Sequence, residues 1–263
     1  MMTSKTEPRL LCYDLGEGVT AFSTTRHGGV SEANYASFNI NPYCGDSADH
    51  VARNRQLLAD RLGLPASHIV LPHQVHGIEH RAVAPELLDM SDVVRDKILD
   101  GVDMVTTSMT GVCIGVSTAD CIPVLLYDPV ARATAAIHAG WRGTLQRICQ
   151  RAVMAMQLHY GTTPDRLRAV VGPGISLANF EVGQEVYDQF LQAGFDLTET
   201  AEWHTKWHLD LPGINIRELI GCGVVPEHIH HAGICTFDHA DDYFSARRLG
   251  IDSGRIYTGI LMQ

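Results

Sequence analysis

With 263 residues and 45% hydrophobic content, the chain is long enough for one large domain or two small ones and can bury a substantial core. A formal net charge of -10 argues against a broad electrostatic footprint for nucleic acid or an anionic membrane, leaving room only for a local basic pocket. The seven cysteines, at 12, 44, 113, 121, 149, 222 and 235, are odd in number and follow no framework spacing, which argues against a disulfide scaffold and for a reducing compartment. The stretch MMTSKTEPRLLCYDLGEG has no apolar signal-peptide core and no run approaches membrane-spanning length, so the expected location is the cytoplasm.

Residues 19–25 read as a strand ending in Arg26-His27-Gly28-Gly29, where two glycines allow positive φ and let backbone amides approach an anion. The polar loop SFNINPYCGD follows. Residues 49–62 are expected as a helix with Val51, Leu58 and Leu62 on one side, stopped by Gly63 and Pro65. The run HIVLPHQVHGIEHRAV reads as a strand, a tight irregular segment and a second strand, with His73 and His76 in one turn bounded by Pro and Gly. That pairing suits a metal without choosing between the two. Residues 87–99 are charged and mixed, and are expected as a surface helix.

The stretch GVCIGVSTADCIPVLLYDPVARATAAIHAGWRGT organises the rest. VCIGV, IPVLLY and ATAAI are apolar, rich in β-branched residues and too short for helices, which makes three buried strands. A four-residue loop, 128–131, would pair Tyr127 with Arg132 and set Cys121 directly opposite His138. Opposed residues on one face have Cβ atoms roughly 4.5 to 5.5 Å apart, which suits two ligands of one metal or a thiol beside its base. Beyond them, Ala139 to Gly143 is a strand-to-helix junction. The next helix would bury Leu145, Ile148, Cys149, Ala152, Val153 and Met156, and its N-terminus, with Arg142, would favour an anion near His138.

The remaining expectations are a strand at 167–171, a GPGIS turn, a helix at 184–192, a strand at 207–211, a helix at 214–222 and strands at 229–236, 243–246 and 255–262. No repeat or linker interrupts them, so residues 1–263 are expected to form a single α+β domain with mixed β-sheets flanked by helices. Cys121, His138 and one of His73 or His76 give three ligands with a fourth position open, the arrangement of a catalytic zinc.

HQVHG, STADCIPVLLYD, AAIHAGWRGT, VGPGIS with FEVG, and CTF with YFSARR, in that order over nearly the whole chain, resemble the YfiH-type laccase-domain proteins, a family also described as polyphenol oxidases or purine nucleoside phosphorylases. The resemblance implies a zinc centre, metal-binding and catalytic at once, made of His76, Cys121 and His138. It further implies phosphorolysis of adenosine, inosine, guanosine and S-methyl-5'-thioadenosine, with adenosine deaminase activity, so that a purine nucleoside and inorganic phosphate are the expected partners. Two departures stand out: Tyr43-Cys44 occupies a place where relatives often have a histidine before Gly-Asp, and the segment between His76 and Cys121 is long, which suggests a lid or surface insertion.

Phosphate would need cationic partners, and Arg26, Arg247 and Arg248 are the candidates, with Asn39 as a sugar or phosphate contact. Adjacent Arg247 and Arg248 could not both point inward from a regular strand. Three other readings compete. A copper-dependent polyphenol oxidase would need many clustered histidines, whereas the chain has one H-x-H, His228 and His230, although a soft Cys-His-His set can take copper. A metal-free cysteine hydrolase would use Cys121 as nucleophile and His138 as base. A non-enzymatic metal-stabilised module would close the site with a fourth protein ligand.

Overall fold

In the computed structural model, which describes residues 6–263, the short β-branched runs are strands. In chain order these are β1 (Leu10–Tyr13), β2 (Val19–Thr24), β3 (Ile69–Val70), β4 (Glu79–Ala82), β5 (Val102–Thr107), β6 (Cys113–Thr118) and β7 (Ile122–Asp128). They continue with β8 (Ala133–Ala139), β9 (Arg168–Val171), β10 (Glu181–Val182), β11 (Ala201–Trp203), β12 (Trp207–Leu209), β13 (Ile229–His231) and β14 (Ile256–Met262). The helices are α1 (Ala48–Leu62), α2 (Pro85–Asp89), α3 (Asp92–Ile98), α4 (Trp141–Leu145), α5 (Ile148–Tyr160), α6 (Gln184–Gln192), α7 (Leu211–Gly221) and α8 (Ala246–Leu249).

Two mixed sheets form the body, in orders β1-β2-β14-β6-β3 and β13-β9-β7-β8-β5-β4, and β10-β12-β11 form a small third one. Pairing is antiparallel within the large sheets and parallel where β3, β4 and β13 close an edge. The chain is thus a single α+β domain with helices on the outside, as its alternating pattern predicts. Every residue of β5, β6, β7, β8 and β14 is buried because both faces are covered, so these strands do not alternate apolar with polar and are largely apolar, with Asp103, Ser117 and several threonines as buried exceptions.

The two faces of β7 go to different partners. Ile122, Val124 and Leu126 join Ile148, Ala152 and Met156 of α5 and Leu219 of α7, while Leu125 and Tyr127 meet Ile114, Val116 and Ile260 of the other large sheet. That second sheet in turn packs Phe22, Ile69 and Tyr257 against Leu57 and Leu58 of α1. All seven cysteines are free, and no helix among the described residues is long and apolar enough to cross a membrane.

Several element boundaries differ from expectation for local reasons. The helix after β8 is broken, since Arg147 takes a left-handed conformation (φ 60) between α4 and α5. Asp210 caps α7 by accepting from Gly213 N, which starts that helix at Leu211 and ends β12 at Leu209. Residues 243–246 are not a strand, because Ser245 accepts from Arg248 N and opens the helical turn α8. The long segment after His76 contains α2 and α3, none of whose residues lines the cavity described below.

Tyr257 fills the space over Gly115 so closely that a Cβ on Gly115 would fall 2.3 Å from the Tyr257 Cζ and 2.6 Å from the Thr258 carbonyl oxygen. Gly115→Ala therefore overpacks a rigid site and should lower unfolding stability by about 1–3 kcal/mol. An unchanged urea midpoint would show that Tyr257 is not packed this tightly over β6.

Candidate metal centre

The β7–β8 hairpin carries two of the three central side chains. Tyr127 pairs with Thr134 where Arg132 was expected, and Pro123 lies opposite His138. The loop is residues 129–132 because Asp128 Oδ1 accepts from Val130 N and Ala131 N and Arg132 takes a positive φ of 49. The register thus slips by two residues, and Cys121, just before β7, is diagonal to His138 and not directly opposed. An even slip keeps both side chains on one face, so they still meet.

Asp120, next to Cys121, has φ 87, and its carboxylate is turned away into the fold. Its Oδ1 accepts from Thr236 Oγ1 and its Oδ2 from Arg247 N, both at 2.7 Å, and its carbonyl accepts from Ile175 N at 2.8 Å. Asp120 anchors the bend that presents Cys121.

The third side chain comes from the turn between β3 and β4. His76 has φ 63, an uncommon conformation for a non-glycine residue. His76, Cys121 and His138 place one ligand atom each within 4.8 Å of one another, and they are the one such His/Cys/Asp/Glu group among the described residues. They form a His-Cys-His metal-binding site. His73 goes elsewhere, with its Nδ1 2.6 Å from Asp100 Oδ1 and its ring stacked on Tyr43 at 4.2 Å.

The donor chemistry suits a soft or borderline ion. Burial alone would push the Cys121 thiol up, but the charge and hydrogen bonds of His138 and His76 outweigh it and hold the thiol below its ordinary value. Burial likewise disfavours charge on His138, and Cys121 and Asp103 together raise it. Asp103, fully buried on β5, would be raised by burial and is instead held low by His138 and the backbone amides of Gly77 and Val75. Gly140 leaves the space open, since a Cβ there would lie 3.0 Å from His76 Cδ2 and 3.1 Å from Cys121 Sγ.

A cavity of about 580 Å³ opens beside the three ligands. Its wall includes Gln74, which accepts from Ser117 N at 2.8 Å, and Asn41, which donates to Ser117 Oγ at 2.7 Å. Tyr43, Cys44 and Arg255 also line it. Asp103, Gln74, Ser117 and Arg255 were not picked out from the sequence. Only Asp103 left a signal there, as a lone charge inside the apolar run VDMV.

The cavity lining does not include Arg26, Asn39, Arg247 or Arg248. Arg26 spends its guanidinium on the carbonyls of Ala36 and Ala240, at 2.8 and 2.6 Å. Asn39 is buried, donating to Asp46 and accepting from Arg255 N. Arg247 and Arg248 sit on α8 and not on a strand, their guanidinium groups over the rings of Phe180 and Phe237. Arg142, expected near His138, stacks over Trp141. His228 and His230 are not part of the metal group.

A family model described as multi-copper polyphenol oxidoreductase laccase matches residues 20–263. The chain is 42% identical to a purine nucleoside phosphorylase of Bacteroides thetaiotaomicron, covering 100% of this chain and 99% of that protein. It is 40% identical to adenosine deaminase RL5 of an unknown prokaryotic organism, covering 93% and 94%. Among solved structures, YlmD from Geobacillus stearothermophilus matches with a TM-score of 0.87 at 30% identity, over 95% of this chain and 94% of that one.

The YfiH-type resemblance therefore holds, and with it an enzyme of this superfamily carrying a metal-binding site. The expectation of a zinc-dependent purine nucleoside phosphorylase with adenosine deaminase activity is corrected. The matching family is a copper oxidoreductase, and two imidazoles with a thiolate are a donor set that copper accepts, which favours the copper alternative. The sequence argument against copper rested on the scarcity of clustered histidines, but one copper needs only this one cluster.

Cys121→Ser, His138→Ala and His76→Gln should each deplete bound metal, and His73→Gln should not, as read by elemental analysis of folded protein. Full metal in His76→Gln with loss in His73→Gln would reassign the ligand. Gly140→Ala, which crowds the thiol and one imidazole without straining its own backbone (φ -70), should also weaken metal binding. Unaltered affinity would show that the space over Gly140 is not part of the centre.

Proposed function

Because the chain belongs to the multi-copper polyphenol oxidoreductase laccase family, we propose that it is a copper-binding, laccase-like enzyme that oxidises a phenol-type substrate in the cavity beside His76, Cys121 and His138. The observation that carries this reading is the clustered His-Cys-His set, whose soft thiolate and two imidazoles match the ligand preferences of copper. Copper, when bound, would supply one-electron redox chemistry with dioxygen as the oxidant: four phenols each give up one electron and one proton, and one dioxygen becomes two waters.

The chain's own residues do the rest. Cys121 offers a thiol already biased toward thiolate, so less work is needed to deprotonate it as a ligand. The Gln74–Ser117–Asn41 network stiffens the wall facing the centre, and the Tyr43–His73 stack gives the rim a flat aromatic edge against which a planar ring can lie. The names of the relatives support a second ligand class for the same cavity, a purine nucleoside with inorganic phosphate, with Arg255 as the cation lining it. The free cysteines support residence in the cytoplasm.

The test is to strip the protein of metal, reload it separately with copper and with zinc, and follow phenol oxidation by oxygen uptake and product absorbance. A nucleoside panel with and without phosphate runs in parallel, with products identified by mass. Copper-loaded protein should oxidise phenols, and Cys121→Ser should abolish this. Nucleoside turnover by zinc-loaded protein, with no phenol oxidation by the copper form, would overturn the reading.

A further inference from the structure

We propose that Asp103 is the positioning residue of the metal centre, a buried carboxylate that assembles both histidine ligands and presents them to the ion in advance. The proposal rests on the reading of His76, Cys121 and His138 as the ligands.

The fold puts Asp103 there by an irregularity. β4 and β5 are parallel, and their register shifts so that Glu79 faces Val102 while the next residue, His80, faces Met104. Asp103 is left over, a bulge in a parallel pair, where bulges are rare, and bulges re-aim side chains beside functional sites. On its other side, β5 pairs with β8 so that Met104 faces Ile137. One step further along this register, Asp103 comes opposite His138.

The carboxylate is fully buried, and its oxygens receive four N–H donors. His138 Nδ1 and His76 N reach Oδ1 at 2.7 and 3.0 Å, and Val75 N and Gly77 N reach Oδ2 at 3.2 and 2.7 Å. An ionised carboxylate has about four lone-pair sites, so this one is saturated and is not itself a ligand. Since the carboxylate only accepts, Nδ1 of His138 carries the proton, and Nε2 keeps its lone pair for the ion.

The same group holds His76. Three consecutive amides, from Val75 to Gly77, converge on it, and this grip offsets the unfavourable positive φ of His76. Two ligands from distant parts of the chain thus share one orienting anion. An asparagine cannot replace it, having one acceptor oxygen and an amide that would face N–H groups.

The test compares wild type, Asp103→Asn and Val105→Ala by chelator competition for copper(I) and zinc(II), by thermal unfolding and, in metal-free protein, by nitrogen and proton NMR of the His138 ring. Val105 lies on the same strand and is equally buried, but packs between the two large sheets. Metal-free wild type should show His138 protonated at Nδ1, and Asp103→Asn should bind metal about 10–100-fold more weakly. Val105→Ala should lose stability and keep wild-type affinity.

Wild-type affinity in Asp103→Asn, an equal loss in Val105→Ala, or a His138 ring with no proton on Nδ1 would each overturn the proposal. If Asp103→Asn does not fold, the wild-type NMR result decides. A wild type that binds no ion would instead overturn the ligand assignment itself.

Discussion

The burial of the β7–β8 hairpin on both faces is the constraint from which the rest of the structure follows. With helices on one side and a second sheet on the other, its interior positions must be apolar, and an unpaired polar group there would be costly. Chemistry is therefore displaced to the open end of the hairpin, where Cys121 stands at the bend and His138 next to the last residue of β8. His138 is the ionisable side chain that these strands carry into the metal centre, and the buried Asp103 across from it is what makes that tolerable.

The same amino acid behaves differently in neighbouring surroundings. Cys113, enclosed in the core, has its thiol pushed up to about 12 by burial, with hydrogen bonds from Tyr257 and the backbone too weak to offset it. Cys149 is raised in the same way under α7. Cys121 is half-buried at the cavity, where desolvation still raises its thiol, yet two imidazoles reverse the sign of the shift. Burial alone makes a cysteine inert, whereas burial beside histidines makes it a ligand.

The centre depends on backbone conformations as much as on ligand identity. His76 and Asp120 both hold positive φ angles, and each is fixed by hydrogen bonds to a carboxylate: three amides on Asp103 for the first, Thr236 and the Arg247 amide on its own side chain for the second. Gly140, packed against all three ligands, completes the enclosure by having no side chain. Such a centre stores its geometry in the fold and leaves little to be reorganised when an ion binds.

The sequence by itself determined the α+β class, the three central strands, α1 and α6, and the pairing of Cys121 with His138 on one face, because hydrophobic period and turn residues are local signals. It also determined, through five ordered motifs, which histidine of the HQVHG turn belongs with them. Only the tertiary structure decided the hairpin register, which an Asp128 turn shifts by two residues, and the destinations of Arg26, Arg247 and Arg248, whose guanidinium groups are claimed by carbonyls and aromatic rings distant in sequence. Asp103 is the clearest division between the two. Its charge within VDMV is visible in the chain, but the bulge that aims it and the four donors that meet it come from β4, β8 and the His76 turn, which are brought together only when the sheet closes.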